Sequence, residues 1–202
     1  MSLCAIVPVK PLRRGKSRLS GILSVEERTK LNRNMLSNML TCVRNVSQID
    51  YFIVISYDPT TLALARELGA KTVLESRITT LNRALRKATA VAKAFNSTQV
   101  LILPADLPLI NKVDLNSFIQ LRGKPPEIII SSDYRQNGTN ALLVNPIGAL
   151  DYDFGEWSFK KHIEQAERKR LRIGISNIDS FKYDLDIPED LELLKTKGIV
   201  LY

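Results

Sequence analysis

A basic segment near the N-terminus carries the side chains best suited to binding phosphate. Its five cations are Lys10, Arg13, Arg14, Lys16 and Arg18. The segment follows an apolar run, Leu3 to Val9, which predicts a strand buried on both faces. Ligands of open α/β sheets bind beyond the carboxyl ends of the strands, where lysine and arginine can pair with phosphate oxygens. The segment therefore predicts a triphosphate site, with a solvated basic loop as the alternative.

The tripeptide Gly15-Lys16-Ser17 is similar to the end of a P-loop, the glycine-rich nucleotide-binding loop. A P-loop requires glycine five residues before Gly15, where this chain has Lys10. It also uses free backbone N–H groups, and Pro11 has none. Phosphate binding is therefore expected to depend on side chains rather than on a backbone cradle.

Two groups of aspartates are candidates for holding a divalent cation. Asp106 follows a predicted central strand, Gln99 to Leu103, and stands between two prolines on a stiff turn. Asp184 and Asp186 are two residues apart, so their side chains share one face of an extended chain. Magnesium is bound by one or two carboxylates together with substrate phosphates and water. Either member of the second group, meeting Asp106, would complete such a pair; the alternative for Asp106 is a turn or helix cap.

A third region offers hydroxyl groups and glycines for a second, small anionic substrate. Asn137-Gly138 is a hairpin-turn signal that is followed by Thr139. Further along, Gly155 permits close backbone approach, and Ser158 begins a predicted helix whose N–H groups suit an anion. This combination predicts a pocket for a small phosphorylated acid. His162, one turn after Ser158, has no second histidine as a partner for zinc and is expected to be structural.

The order of apolar runs and helical patterns predicts βα units around a mainly parallel sheet. Ser24 and Glu27 form a capping box, and Pro59 begins a second helix. Glu189 and Asp190 are assigned to the start of the last helix. The expected strands span residues 3–9, 51–57, 72–74, 99–103, 127–131, 140–144 and 171–175, and further helices span 81–95, 113–121 and 158–169. We expect a single α/β domain over residues 1–202, with a nucleotide-binding half to about residue 110 and an acceptor-binding half from about residue 111.

The composition restricts the classes of partner. The chain of 202 residues has 29 Lys or Arg against 21 Asp or Glu, a net charge of +8, and a single histidine. Because the excess is concentrated in the basic segment and no RNA-binding signature is present, no nucleic-acid partner is expected; a noncatalytic RNA-binding domain remains the alternative from another class. No apolar run is long enough for a membrane span, and no signal peptide is recognised, so the expected location is cytoplasmic. Cys4 and Cys42 are expected to be core thiols.

Six motifs, in order over nearly the whole chain, resemble the family of 2-phospho-L-lactate guanylyltransferases, which includes phosphoenolpyruvate guanylyltransferases. The matching segments are Pro8-Val9-Lys10-Pro11-Leu12 with Gly15-Lys16-Ser17-Arg18-Leu19, Leu81-Asn82-Arg83-Ala84-Leu85, Leu103-Pro104-Ala105-Asp106-Leu107-Pro108, Gly138-Thr139-Asn140-Ala141-Leu142, Phe154-Gly155 with Ser158-Phe159 and His162, and Asp184-Leu185-Asp186 with Pro188-Glu189-Asp190-Leu191.

The resemblance implies a glycosyltransferase-A-like nucleotidyltransferase fold and a function. The reaction would join GMP from GTP to 2-phospho-L-lactate and release pyrophosphate, a step in making coenzyme F(420). The resemblance implies that Mg²⁺ is held by Asp106 and Asp186, with Asp184 as a further candidate. Residues expected to bind the nucleotide are Pro8, Lys10, Lys16, Arg18, Leu81, Asn82 and Asp106, and those expected to bind the acceptor are Thr139, Gly155 and Ser158. Lys10, Lys16, Arg18, Asp106 and Asp186 are the expected catalytic residues.

Several alternatives remain at this stage. The acceptor can instead be phosphoenolpyruvate or 3-phospho-D-glycerate, which differ from 2-phospho-L-lactate by a few atoms. A related nucleotidyltransferase acting on a sugar phosphate, a cytidylyl acceptor or the molybdenum cofactor is the nearest rival, although the glycine-rich opening usual in those enzymes is replaced here by Pro8-Val9-Lys10-Pro11. The apolar residues Ile199, Val200 and Leu201 suggest a homodimer.

Overall fold

A computed structural model describes residues 2–77 and 79–196. These residues form seven strands and seven helices, which alternate up to β5. The strands are β1 (Leu3–Pro8), β2 (Tyr51–Ser56), β3 (Lys71–Leu74), β4 (Gln99–Ile102), β5 (Glu127–Ser132), β6 (Thr139–Asn145) and β7 (Arg172–Ile175). The helices are α1 (Val25–Arg44), α2 (Pro59–Glu67), α3 (Leu81–Ala94), α4 (Lys112–Gln120), α5 (Ser158–Arg168), α6 (Asp179–Lys182) and α7 (Pro188–Thr196).

The seven strands form one sheet in the order β3-β2-β1-β4-β6-β5-β7. Strand β6 pairs antiparallel with both β4 and β5, and every other pairing is parallel. The predicted α/β fold with a mostly parallel mixed sheet is confirmed, as is the central position of β4. Because β6 runs against its neighbours, its first residues lie at the same edge of the sheet as the carboxyl ends of β1, β4 and β5.

The apolar side chains of the strands alternate between two cores, one on each face of the sheet. In β1, Ala5 and Val7 face a core that includes side chains of α1, α2, α4 and α6, whereas Cys4 and Ile6 face one that includes α3 and α5. Burial on both faces explains why these strands read as continuous apolar runs. Cys4 and Cys42 are buried free thiols, as predicted.

Local capping signals fix the starts of three helices. Ser24 accepts the backbone N–H of Glu27 at 3.2 Å, and the Glu27 carboxylate accepts that of Ser24 at 2.8 Å, which confirms the predicted capping box. Asp58 caps α2, in which Pro59 occupies the first turn, and Thr80 caps α3. The predicted element boundaries lie within one residue of the observed ones. The four-residue helix α6 and a 3-10 turn at Ser17–Leu19 escaped prediction because segments this short have no periodicity.

A third, smaller core joins the basic segment to the last helix. Leu19 and Leu23 pack with Leu31 and Met35 of α1 and with three residues near the other end of the described chain: Leu185, Leu191 and Leu194. This packing holds the predicted triphosphate segment against the chain that carries Asp184 and Asp186. The residues predicted to form a dimer contact, Ile199, Val200 and Leu201, lie outside the described residues. Among the described helices, none is long and apolar enough to cross a membrane.

Candidate active site

A cavity of about 390 Å³ opens at the carboxyl edge of the parallel strands. It is of the size that binds small ligands. Its walls come from the segments after β1, β3 and β4, the first turns of α3, and parts of the chain near Phe154 and Asp186. The lining includes Pro8, Lys10, Gly15, Lys16, Asn32, Glu75, Arg77, Thr80, Leu81, Ala84, Leu85, Ile102, Asp106, Phe154 and Asp186.

The basic segment makes a tight turn that directs Lys16 into the cavity. Lys16 adopts a left-handed backbone conformation with φ 56°, which is costly for a residue other than glycine. Asn32 of α1 donates to the carbonyl of Leu12 at 2.7 Å and packs closely against Gly15. A β-carbon at Gly15 would lie 2.6 Å from Asn32 Nδ2, so a side chain there would displace Asn32 from Leu12. Lys10 is exposed at the wall of the cavity.

The two aspartates predicted to hold a metal converge on Lys16. Its Nζ lies 2.9 Å from Asp106 Oδ2 and 3.8 Å from Asp186 Oδ1, and the lysine side chain is only 7% exposed. Arg18, which is largely exposed, pairs with Asp186 Oδ2 at 2.7 Å. Three residues that are far apart in the sequence therefore form one charged cluster at the end of the cavity.

These carboxylates fit a magnesium ion. Both direct oxygens toward a single positively charged atom, and oxygen donors of this kind suit Mg²⁺, which completes its shell with phosphates and water. In residues 2–77 and 79–196 no group of three or more His, Cys, Asp or Glu side chains is arranged to hold a metal. A pair of carboxylates shared with a nucleotide is thus the type of site that the chain offers.

Asp184 is held next to this cluster by Asn140. Its Oδ1 accepts from Asn140 Nδ2 at 3.1 Å. Burial, with a further contribution from the charge of Asp106, raises the pKa of Asp184 to about 6, and the bond from Asn140 opposes that rise. Asp184 therefore lies in the electrostatic field of the carboxylate pair and is a more easily protonated group than an exposed aspartate.

Asp190 fixes the backbone that carries Asp186. Its buried Oδ2 accepts the backbone N–H groups of Asp186 and Ile187 at 2.8 and 2.9 Å, and its Oδ1 accepts from Arg135 at 2.8 Å. This geometry satisfies the free N–H groups at the start of α7. The sequence-based assignment of Asp190 to the helix start is confirmed.

A β-bulge at Asn140 directs the side chains of Thr139 and Asn140 to opposite faces of the sheet. Ser131 pairs with Ala141 but Ser132 pairs with Thr139, so Asn140 is the extra residue. Asn140 donates to the carbonyl of Phe181 on the α6 face, whereas Thr139 contacts His162 of α5 on the other face. The bulge thereby directs Asn140 toward Asp184 and Thr139 toward the predicted acceptor pocket.

His162 is a neutral, buried histidine whose tautomer is set by its partners. The backbone N–H of Asp153 donates to Nε2 at 3.1 Å, so the ring proton is on Nδ1. Nδ1 lies 3.1 Å from Thr139 Oγ1, which therefore accepts and keeps its own hydrogen to donate. Burial lowers the pKa of His162 to about 4. The expected structural role of His162 is supported by these contacts, which make Thr139 a hydrogen-bond donor.

The three residues predicted to bind the acceptor belong to one local network. Thr139 contacts His162, which lies one turn after Ser158 in α5, and the carbonyl of Gly155 accepts the N–H of Ser158 at 3.1 Å. Gly155 has φ +131°, a conformation that disfavours other residues, and Ser158 is 1% exposed. Phe154, next to Gly155, lines the cavity and so connects this network to it.

One expectation for the start of α5 needs correction. The helix N-terminus was expected to offer its free N–H groups to an anion. The N–H groups of Ser158 and Phe159 are already bonded to the carbonyls of Gly155 and Asn137. Asn137 Oδ1 also accepts the N–H of Trp157, so the turn after β5 closes this end of the helix. Side-chain hydroxyls, rather than the first helical N–H groups, remain as donors here.

The turn itself also differs from the expected two-residue hairpin. Six residues, 133–138, connect β5 to β6, and the left-handed position is Gln136 rather than Asn137. Asp133 Oδ1 accepts the N–H of Asn137 at 2.7 Å and stabilises this longer loop.

Asn82 has a partner within the chain, the backbone of Phe154. Its Nδ2 donates to the carbonyl of Phe154 at 3.2 Å, and its Oδ1 accepts the Phe154 N–H at 2.8 Å. These two bonds tie α3 to the loop before α5, and because one N–H and one oxygen lone pair of the amide are left over, a contact of Asn82 with the nucleotide stays a prediction. Its neighbour Leu81 and the strand residue Pro8 do line the cavity.

The comparison with known families agrees with this geometry. A family model described as guanylyl transferase CofC like matches residues 3–198. The chain belongs to this family. Membership in the CofC-like family makes the protein a nucleotidyltransferase of the guanylyltransferase type.

Two curated relatives are similar along most of their length. The phosphoenolpyruvate guanylyltransferase of Rubrobacter xylanophilus is 39% identical over 202 residues, covering 100% of this chain and 98% of that protein. The 2-phospho-L-lactate guanylyltransferase of Methanocaldococcus vulcanius is 36% identical over 190 residues, covering 94% and 82%. A crystal structure from Desulfovibrio desulfuricans G20, provisionally named a nucleotide-diphospho-sugar transferase, matches with a TM-score of 0.78 at 15% identity, covering 98% of this chain and 88% of that one. This chain therefore shares the fold of that structure.

Sequence reasoning missed the roles of three asparagines that organise the site. Asn32 shapes the basic turn, Asn137 closes the start of α5, and Asn140 restrains Asp184. Asparagine is typical of turns and caps, so each residue type alone gives no signal of its distant partner. The capping position of Asn111 before α4 shows how common the purely local use is.

Proposed function

We propose that this CofC-like protein transfers GMP from GTP to 2-phospho-L-lactate and releases pyrophosphate, as a step in making coenzyme F(420). The observation that carries the proposal is the convergence of Lys16, Asp106 and Asp186 at the end of a nucleotide-sized cavity. Cations and carboxylates placed together suit a triphosphate with its magnesium ion. Residues up to about 110 would bind the nucleotide, and Thr139, Gly155 and Ser158 would bind the acceptor.

The chemistry needs little from a proton-transfer residue. A phosphate monoester has a second pKa of roughly 6, so the acceptor phosphate is mostly ionised at neutral pH. One of its oxygens attacks the α-phosphorus of GTP, a P–O bond forms, and the bond between the α- and β-phosphates breaks to release pyrophosphate. No proton has to leave the nucleophile. This accounts for a site in which the only histidine is buried and held neutral by its partners.

Catalysis then consists of positioning and charge neutralisation. Lys10, Lys16 and Arg18 would bind the phosphate oxygens of the nucleotide. Asp106 and Asp186 would hold Mg²⁺, which when bound supplies positive charge to the triphosphate. Lys16 and Asp106 are 90 residues apart in the sequence but adjacent in the fold, and with a metal on these carboxylates the ammonium of Lys16 would turn from Asp106 to a phosphate of the nucleotide.

The acceptor would be oriented by hydroxyl donors beside Phe154; Thr139 and Ser158 are themselves buried and lie outside the lining of the cavity. Thr139 would donate its hydroxyl hydrogen to the acceptor, because His162 already donates to the oxygen. Ser158 supplies a second hydroxyl, and Gly155 lets the backbone approach closely. Acceptors that differ by a few atoms would then be distinguished by the shape of the pocket.

Phosphoenolpyruvate is a second candidate acceptor. The observation in its favour is the relative from Rubrobacter xylanophilus, which is named for that substrate and is 39% identical over its length. Pyrophosphate release from GTP, measured with 2-phospho-L-lactate, phosphoenolpyruvate and 3-phospho-D-glycerate in turn, tests the proposal. We expect the highest kcat/KM with 2-phospho-L-lactate. A higher value with phosphoenolpyruvate would transfer the assignment to it, and no release with any acid would reject the reaction.

A further inference from the structure

Glu75 lies at the end of the cavity opposite Asp106. It directly follows β3, and its backbone N–H donates to the carbonyl of Ser56 at 3.0 Å, which extends the pairing of β3 with β2. Its side chain lines the cavity together with Arg77 and Thr80. The strand order β3-β2-β1-β4 puts three strand spacings, about 14 Å in total, between this position and the end of β4. A nucleotide with its phosphates near Asp106 would therefore direct its base toward Glu75.

The carboxylate of Glu75 has an oxygen that lacks a partner. Oε2 is enclosed and accepts no hydrogen bond from the residues that the structure describes. Enclosed carboxylate oxygens are normally bonded, and leaving one unsatisfied is unfavourable. Burial raises the pKa of Glu75, and the charge of Lys87 opposes that rise. Lys87 is fixed nearby by a 2.6 Å bond to the carbonyl of Leu74.

The wall between the two ends of the cavity is apolar. Leu81, Ala84 and Leu85 of α3 line it, with Ile102 of β4. Leu81 is 42% exposed, so it presents an apolar surface to the cavity rather than to the core. A surface of this kind suits the face of a planar base, and it leaves recognition of the base edge to the polar groups at the end of the cavity.

We propose that Glu75 selects guanine by accepting hydrogen bonds from its N1–H and its 2-amino group. The inference rests on the proposed use of GTP. Guanine presents two adjacent donors on its Watson–Crick edge, and a carboxylate can accept both once the side chain of Glu75 turns its enclosed Oε2 into the cavity. Adenine and cytosine instead present a ring acceptor beside their amino group, which would face the Glu75 oxygens with like partial charge. One side chain thereby supplies both attraction to guanine and rejection of the other amino bases.

Equilibrium binding of nucleotides tests this assignment without any acceptor substrate. The wild-type protein, Glu75→Gln and the control Glu67→Gln are titrated with GTP, ITP and ATP in the presence of Mg²⁺. ITP is GTP without the 2-amino group. Glu67 carries the same side chain at the exposed end of α2 and is outside the cavity lining. We expect wild type and Glu67→Gln to bind GTP more tightly than ITP or ATP, and Glu75→Gln to lose about 10- to 100-fold in GTP affinity and most of the preference over ITP.

An equal GTP-to-ITP ratio in wild type and Glu75→Gln would overturn the assignment, as would equal binding of GTP and ATP by the wild type. If Glu75→Gln does not fold, as judged by circular dichroism, Glu75→Asp replaces it. That variant keeps the charge one methylene further away and is expected to bind GTP more weakly while still rejecting ATP; unchanged GTP affinity would count against the proposal. Pyrophosphate release separates the two ideas: selective GTP binding without turnover refutes the reaction, and turnover with an unchanged ratio refutes base selection.

Discussion

The backbone N–H of Leu185 donates to the carbonyl oxygen of Asp106 at 3.0 Å. This bond joins segments that are 79 residues apart and sets the register between the two carboxylates at the charged cluster. Because it uses only main-chain atoms, it survives any substitution of the side chains of Asp106 or Asp186. The position of these residues can therefore be separated experimentally from their charge.

Replacing either carboxylate by its amide should abolish turnover without unfolding the protein. For Asp106→Asn and Asp186→Asn we expect a loss of at least about 100-fold in kcat, because the phosphates lose their bound counter-charge. Pyrophosphate release gives the rate, and circular dichroism checks the fold. Asp151→Asn, on the exposed partner of Lys169, is the matched control and should keep full activity. Full activity in either cluster variant would reject the assignment of the metal pair.

Removing the hydroxyl of Thr139 should weaken acceptor binding selectively. Thr139→Ala is expected to raise the KM for the acceptor by about 10- to 100-fold, because a donor to a charged group is lost, with little change in the KM for GTP. Thr139→Ser retains the hydroxyl and should recover most of the affinity. Steady-state kinetics with each substrate varied in turn measures the effect. A defect confined to GTP would remove Thr139 from the acceptor pocket.

The buried histidine should make stability fall in mild acid. Because His162 has a pKa of about 4 in the fold but about 6.5 when unfolded, the unfolded chain takes up a proton between these values and the folded protein does not. Stability is fully present above pH 6.5 and decreases as the pH falls toward 4. Between pH 7 and pH 5 the contribution lost is about 2 kcal/mol.

Urea unfolding of wild type and His162→Gln at pH 7 and pH 5 isolates this contribution. The comparison is needed because Asp184 has a raised pKa in the fold. Its contribution to the free energy of unfolding increases as the pH falls, which partly offsets the loss from His162. We expect the wild type to lose more free energy of unfolding than the variant between the two pH values. An equal loss in both proteins would show that His162 does not resist protonation in the fold.

Removing the charge of Asp190 should destabilise the protein and also lower its activity. Asp190→Asn keeps one side-chain oxygen instead of two. Either the N–H groups of Asp186 and Ile187 or the guanidinium of Arg135 then lose their acceptor in a buried position. The expected cost is about 2–3 kcal/mol in the free energy of unfolding. Its exposed neighbour supplies the control, since Glu189→Gln should change stability by less than about 0.5 kcal/mol. If both variants unfold at the same urea concentration, Asp190 does not anchor this turn.

Local sequence signals predicted the helices and strands. The geometry of the site depends on contacts between residues that are far apart in the sequence. Ser24 and Glu27 encode the start of α1 within four residues, and the apolar runs of β1 and β4 encode strands buried on both faces. The bulge at Asn140 depends on how β6 meets β5, and the turn that contains Lys16 depends on a bond from Asn32 to Leu12, twenty residues apart. Neither has a periodic or compositional signature. The bond between Asn82 and Phe154, which lies 72 residues further along the chain, likewise has no local signal.

The reversed direction of β6 has a consequence for how substrate preference can change. Parallel strands bring the nucleotide-facing segments to the sheet edge as they end, but β6 brings Thr139 there as it begins. The loop at 133–138 leads into the reversed strand β6, and the loop at 153–157 leads into helix α5. Insertions or substitutions in these two loops would change the shape of the proposed acceptor pocket to suit a different phosphorylated acid. The turn at Lys16 would keep its conformation. Such an arrangement would allow the acceptor to change while the proposed nucleotide site stays the same.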